Sequence, residues 1–229
     1  MFGLDDGIAA FSNGTTLLLV AAVSVLLGLR HASDPDHLVA VTTMIASGRE
    51  RATRHAAKLG FTWGLGHATS LFVFGLPVVL YSAYLPGPVQ DAAETSVGFV
   101  IVLLAVLLLV RWRRGAYGSA THTHAHPKTR NSRQAYCIGL VHGMGGTAGV
   151  GLLLLATIHS RLLAVAALAI FALFTALSMT VLSTGFGIVL SSAPARRCFH
   201  RLAPALGAAS LAFGAWYALG AQGIVPYIL

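Results

Sequence analysis

The chain has 229 residues, of which 15 are Lys or Arg and 7 are Asp or Glu, so charged side chains make up 10% where an ordinary soluble domain carries about 25%. With 56% hydrophobic residues and a mean hydropathy of +0.76, the composition excludes a water-facing globular surface, a disordered chain and a coiled coil, and puts the protein in the membrane class. The net charge of +8 does not point to nucleic acid, because no soluble body with a basic face is left once the apolar runs are set aside.

A helix crossing the roughly 30 Å hydrocarbon core needs about 20 mostly apolar residues. Six stretches qualify, at about 15–46, 61–84, 96–112, 136–158, 162–190 and 203–221. The expected architecture is all-α: one polytopic membrane domain over 1–229 with six transmembrane helices. Three spans in each half run in opposite directions, which permits a 3+3 inverted repeat. No cleavable signal peptide is expected, since Met1 to Gly14 has no Lys or Arg and carries Asp5 and Asp6.

The first stretch holds Arg30, His31, Ser33, Asp34, Pro35, Asp36 and His37 inside an otherwise uncharged run. Of the seven acidic residues, only Asp34 and Asp36 fall within the apolar stretches. Arg30, Asp34 and Asp36 facing lipid would together cost on the order of 8 kcal/mol, so they must face protein, water or an ion. On a straight helix Asp36 stands about 140° and His37 about 240° around from His31, too widely fanned to meet. Pro35 resolves this, because it gives no hydrogen bond to the His31 carbonyl and its ring crowds that carbonyl. Ser33-Asp34-Pro35 reads as a cap followed by proline at the first helical position. The first span is thus expected to be two half-helices lining a cavity. Imidazole with carboxylate suits Ni²⁺, Co²⁺, Zn²⁺ or Cu²⁺. The competing reading is structural: Asp34 and Asp36 cap the break and pair with Arg30, with both histidines as bystanders.

In the second stretch His67 stands among Gly64, Gly66, Ala68 and Thr69, small residues that admit a neighbouring helix. His67 could join the site or orient a ligand within it, or serve only as an interhelical hydrogen bonder. The third stretch is the shortest. The loop after it, 113–135, carries His122, His124 and His126 in alternation, a tract of a kind that binds metals weakly or is simply solvated. The fourth stretch spaces Gly139 and Gly143, then Gly145 and Gly149, four apart for close packing. Gly139-Leu140-Val141-His142-Gly143 faintly echoes Gly28-Leu29-Arg30-His31-Ala32. Met44, Met144 and Met179 read as filler, and Ser178, Thr180, Ser183 and Thr184 as pathway lining or back-bonded hydroxyls.

The loops supply orientation. Thirteen of the fifteen basic residues follow the first, third and fifth stretches, with Arg30 and Arg161 the exceptions. Because Lys and Arg in short loops stay cytoplasmic, these loops are expected inside, in a plasma (inner) membrane, with both termini outside. Cys137 and Cys198 then lie near the reducing side and are expected as free thiols.

His31, Asp36 and His37 match the H-x-x-x-x-D-H signature of the nickel/cobalt transporter (NiCoT) family. The surrounding Gly28-Leu29-Arg30-His31-Ala32 and Asp34-Pro35-Asp36-His37-Leu38 resemble its short, UreH-like branch. Leu59-Gly60-Phe61 and Leu65-Gly66-His67-Ala68-Thr69 are similar to the family's glycine-histidine-serine/threonine motif in the next helix. The likeness covers about Leu26 to Phe72. It implies that His31, Asp36 and His37 recognise and move the metal, with His67 assisting. Asp34, His142, Thr69 and Arg30 are additional candidates at or around the ion. Longer members carry an acidic motif in a later helix where this chain has His142-Gly143-Met144-Gly145-Gly146-Thr147, and His142 is the natural substitute.

The function implied is transport of Ni²⁺ or Co²⁺ as cargo, with no organic cofactor and no enzymatic activity. The implied partners are the metal ion, the bilayer and a cytoplasmic metallochaperone, and no nucleic acid. No G-x-x-x-x-G-K-[ST] sequence marks an ATP site. A divalent cation entering a negative interior gains about 2 × 2.3 kcal/mol per 100 mV, which favours uptake. The alternatives are efflux by proton exchange and a membrane-embedded metalloenzyme using the same His/Asp cluster.

Overall fold

The computed structural model describes residues 4–46, 52–81, 86–115, 131–145, 152, 155–158 and 160–226, and contains helix and turn with no strand among them. The long segments are α1 (Leu4–Ala32), α2 (Pro35–Ala46), α3 (Ala52–Tyr81), α4 (Gly87–Arg113), α5 (Ser132–His142), α6 (Arg161–Ser191) and α7 (Ala193–Ala221). His122, His124 and His126 lie outside the described residues.

Four stretches are long and apolar enough to cross a membrane: Arg54–Tyr81, Gly87–Arg113, Arg161–Ser191 and Cys198–Ala221. The pair Leu17–Ala32 and Pro35–Ile45, bent by 55°, makes a fifth when taken as one span. The break falls at Ser33-Asp34, where Ser33 N–H donates to the Arg30 carbonyl (2.9 Å) and Asp34 N–H to the His31 carbonyl (3.1 Å). These tighter turns close α1 without the donor that Pro35 lacks. The Asp34 carbonyl then accepts from Leu38 N–H (3.1 Å), opening α2 with Pro35 as its first residue.

Two stretches differ from the sequence expectation. The third begins at Gly87 rather than 96, after Pro86 with a further proline in its first turn, and Gln90 Nε2 donates to Glu94 Oε1 (3.1 Å) along the helix. Asp91 and Glu94 therefore also fall inside a candidate span, and Glu94 is buried. The fourth stretch yields α5 of only 11 residues, about 16 Å at 1.5 Å per residue. It closes at Gly143 to Gly145, where Met144 N–H reaches the Val141 carbonyl and Gly145 N–H the His142 carbonyl (both 3.2 Å). Closely spaced glycines, the weakest helix formers after proline, account for the stop. The described residues thus give four or five spans where six are expected.

The surface is inside out relative to a soluble protein. Leu18, Phe99, Leu162 and Val181 are well exposed, whereas Asp36, His37 and His67 are each 1% exposed. Apolar atoms outward and ionisable groups inward is the arrangement a bilayer demands.

The helices pack mainly as α3 on α6, α3 on α5, α1 on α6, and α4 on α7. Glycines set these contacts. A Cβ at Gly28 would stand 2.9 Å from the Phe171 carbonyl oxygen and the Thr175 nitrogen, so α1 rides on the α6 backbone. A Cβ at Gly139 would strike the Trp63 carbonyl oxygen and stand 2.9 Å from the His67 nitrogen, so α5 rides on α3 in the same manner. Between α4 and α7, a Cβ at Gly98 would meet Ala218 (2.8 Å), and one at Gly214 would meet the Val102 nitrogen (3.0 Å).

Candidate metal centre

The break in the first span brings its chemistry together. His31 is the next-to-last residue of α1, and Asp36 and His37 lie in the first turn of α2. The turn between them carries the His31 and His37 rings to a centroid separation of 4.7 Å. α3 adds His67, whose ring centroid is 5.1 Å from that of His31 and 4.9 Å from that of His37. α5 adds His142, its last residue, with centroid 4.5 Å from that of His37. The close glycine seats of Gly139 and Gly143 on the α3 backbone hold His142 at this depth; a Cβ at Gly143 would be 2.5 Å from the His67 carbonyl oxygen.

Carboxylates fix the rings. His31 Nδ1 donates to Asp34 Oδ2 (3.2 Å), which leaves Nε2 as a bare acceptor 2.9 Å from His67 Nε2. His37 Nδ1 donates to Asp36 Oδ1 (3.0 Å), and His142 Nε2 lies 3.2 Å from Asp36 Oδ2. His37 Nε2, His67 Nδ1 and both ring nitrogens of His142 are buried with no hydrogen-bond partner, the 3.2 Å approach of His142 Nε2 to Asp36 being an ion-pair distance without hydrogen-bond geometry. Buried imidazole nitrogens left unpaired are costly, and the chemistry that relieves them is a Lewis acid. Two nitrogens each about 2.1 Å from one ion at a right angle are about 3.0 Å apart, close to the His31–His67 separation. Around this core lie Trp63, with ring centroid 5.9 Å from that of His37 and 5.6 Å from that of His142, and Phe171, 5.8 Å from His31.

The structure thus brings together His31, Asp36, His37, His67 and His142, with Asp34 partly buried at the edge behind His31. Two of the additional candidates point elsewhere. Arg30 is exposed, and the ion pairs of Asp34 and Asp36 are with histidines. Thr69 Oγ1 donates back to the Leu65 carbonyl (2.8 Å) and accepts from Tyr136 Oη (3.3 Å). Glu94 is the buried acid that the hydropathy pattern missed. Its only early signal is the Gln90-to-Glu94 spacing of four on a proline-started helix. Ser178, buried, and Thr180, back-bonded to the Ala176 carbonyl (2.8 Å), sit on α6.

Helix polarity acts in both senses at the cluster, because α2 begins there with the positive pole of its peptide dipole. α1 and α5 both end at the cluster, so two carboxyl-terminal ends, the negative poles of their peptide dipoles, converge there. Half-helices ending on an ion site at membrane depth are a recurrent transporter device.

These features define an integral membrane protein with a dry imidazole–carboxylate centre on a broken helix. The chain belongs to the NicO family, described as high-affinity nickel-transport protein, whose model matches residues 17–134. This is a family of nickel/cobalt transporters rather than enzymes. Among curated proteins, the chain is 26% identical over 215 residues to the urease accessory protein UreH of Bacillus sp. (strain TB-90), covering 88% of this chain and 91% of that one. It is 26% identical over 171 residues to a putative nickel/cobalt efflux system of Methanocaldococcus jannaschii, covering 74% and 76%. A 96-residue segment, 41% of this chain and 21% of the other, is 33% identical to the nickel transporter NicT of Mycobacterium tuberculosis. No solved structure matches.

Proposed function

We propose that the protein carries Ni²⁺ or Co²⁺ across the membrane through the centre formed by His31, Asp36, His37 and His67, with His142 as a further ligand. The observation that carries this reading is the set of four buried imidazoles in ring contact, three of them with an unpartnered nitrogen, in a membrane-spanning fold. Asp34 holds the His31 tautomer that turns Nε2 inward. Asp36 supplies the negative charge that offsets part of the ion's.

A six-span inverted repeat is part of the proposal. One register shift relates Gly28 and His31 to Gly139 and His142. Another relates Trp63 and His67 to Phe171 and Thr175. Under these shifts the seat of α1 on α6 becomes that of α5 on α3, and the His31–Phe171 contact becomes the His142–Trp63 contact. Both halves then have a first span that breaks just after its histidine. The domain covers 1–229, with the basic loops cytoplasmic, both termini outside, and a metallochaperone as the inner acceptor.

Direction is uptake, driven by the charge of the cargo. The name of the M. jannaschii relative favours the second reading, efflux coupled to protons. In liposomes containing only this protein and an internal Ni²⁺ indicator, an interior-negative potassium diffusion potential is expected to accelerate entry. Flux indifferent to potential but driven by an opposing pH gradient would support export. Absence of flux under every gradient would overturn both. Orientation has its own test. In a Cys137→Ser background, a membrane-impermeant maleimide is expected to modify the exposed Cys198 in inverted vesicles and not in intact cells. The reverse pattern would invert the topology.

A further inference from the structure

The cluster holds two groups of three donors rather than one shell. His31, His37 and His67 offer donor atoms within 4.8 Å of one another, and so, as a separate set, do Asp36, His37 and His142. His37 is common to both. Its Nδ1 is on the Asp36 side at 3.0 Å, and its Nε2 is buried without a partner. A neutral imidazole has one lone pair, so Nε2 serves the His31–His67 group while Nδ1 keeps its hydrogen on Asp36. For the ion to sit in the Asp36–His142 group that hydrogen must move to Nε2, and it returns as the ion passes back. We infer that the centre comprises two adjacent, alternately occupied metal positions, with the ion handed from one to the other around the His37 ring.

This inference rests on the transport reading above and adds to it. Two divalent ions a few ångströms apart in a dry interior repel strongly, so only one position is filled at a time. The positions differ in kind. The His31–His37–His67 position is all imidazole, with its compensating carboxylate, Asp34, one ring removed and partly exposed. The Asp36–His37–His142 position has a carboxylate in direct contact, and the donors of both positions are buried. Each position takes its distinguishing histidine from the end of a half-helix, His31 from α1 and His142 from α5. If the halves are inverted repeats, those two ends are related by the pseudo-symmetry and approach from opposite sides. The two positions then belong to opposite sides as well, and the passage of the ion between them is the change of access.

The test is Ni²⁺ binding by the full-length protein in lipid nanodiscs, measured by calorimetry and X-ray absorption, alongside flux in liposomes. Wild type is expected to bind one Ni²⁺. His67→Ala and His142→Ala are each expected to keep one Ni²⁺ with affinity reduced no more than about tenfold, because the other position survives with three donors. Their X-ray absorption spectra should differ, the His67→Ala ion showing fewer imidazoles and a carboxylate. Neither variant should sustain flux. His37→Ala and the double variant His67→Ala/His142→Ala should lose binding by about a thousandfold or more, some 4 kcal/mol at 1.4 kcal/mol per decade. Asparagine at 67 and 142 repeats the test in side chains closer to imidazole in size, with retention in nanodiscs as the folding check. The inference is overturned if both single variants lose Ni²⁺ as completely as His37→Ala, if their spectra coincide, or if either still transports. Wild type that binds no Ni²⁺ would instead remove the transport site itself, and this inference with it.

Discussion

Asp36→Asn is expected to lower the initial rate of Ni²⁺ flux into proteoliposomes by at least about 100-fold. The substitution keeps the shape of the side chain and one carbonyl oxygen for the His37 Nδ1 hydrogen, so the fold around α2 should survive. What it removes is the charge. Asp36 is 1% exposed and lies between His37 at 3.0 Å and His142 at 3.2 Å, so no water replaces it beside the ion. Removing one partner of a buried charge pair costs about 3–5 kcal/mol, or roughly two to three and a half decades in binding. Asp34→Asn provides the contrast. Asp34 sits one ring away from the donors and is partly exposed, and loss of such an orienting group costs about 10- to 100-fold. Flux in Asp36→Asn within threefold of wild type would take this carboxylate off the path.

Gly139→Val should be the most damaging substitution away from the donors. A first side-chain carbon at this position would collide with the carbonyl oxygen of Trp63, a backbone atom within a helix, and would also press on the His67 nitrogen. Overpacking a well-filled contact costs about 1–3 kcal/mol and more when backbone must move. Here the movement would separate α5 from α3, and with it His142 from His37 and His67. The expected result is a lowered melting temperature in detergent and loss of Ni²⁺ flux. Gly185→Ala is the matched control, because a Cβ there meets nothing within 4 Å and alanine is the better helix former. Equal melting temperatures for the two variants would mean that the α3–α5 contact is not the one described.

The parts of this arrangement that could be read from the chain are those with a local cause. Pro35 in an uncharged run announces the break, because a missing N–H and a crowded carbonyl act within four residues. The small residues flanking His67 announce a helix contact for the same reason. The association of His142 with Asp36 has no such local trace. It depends on glycine seats that bring α5 onto α3, and glycine spacing gives closeness without naming the partner. Hydropathy also missed where helices begin and end. It started the third span at 96 because Asp91 and Glu94 look like loop residues, whereas α4 runs from Gly87 and buries Glu94. Within 136–158 hydropathy gave no sign that α5 ends at His142, because glycine is apolar enough to keep the average high while its backbone weakens the helix. Arg30 shows the opposite error: proximity in sequence to Asp34 suggests a pair, but the tight turns at the end of α1 leave Arg30 facing outward.

The shortness of α2 has a mechanical consequence. α1, α3, α5 and α6 pack together and carry His31, His67 and His142, while α4 and α7 form a second tight pair with lighter contacts to α5 and α6. α2 lies between them: Ala40, Val41, Met44 and Ile45 share one buried cluster with Trp63 and Met179 on one side and Val97, Ile101 and Tyr217 on the other. Thr43 Oγ1 and Ser210 Oγ, 3.0 Å apart, tie it to α7. At its other end, two residues of non-helical chain separate it from α1. α2 is therefore joined to α1 only through Ser33-Asp34, with Asp36 and His37 next to that joint and its far end packed against both groups of helices. A displacement of the α4–α7 pair relative to the other helices would therefore bear first on α2, the element that carries Asp36 and His37.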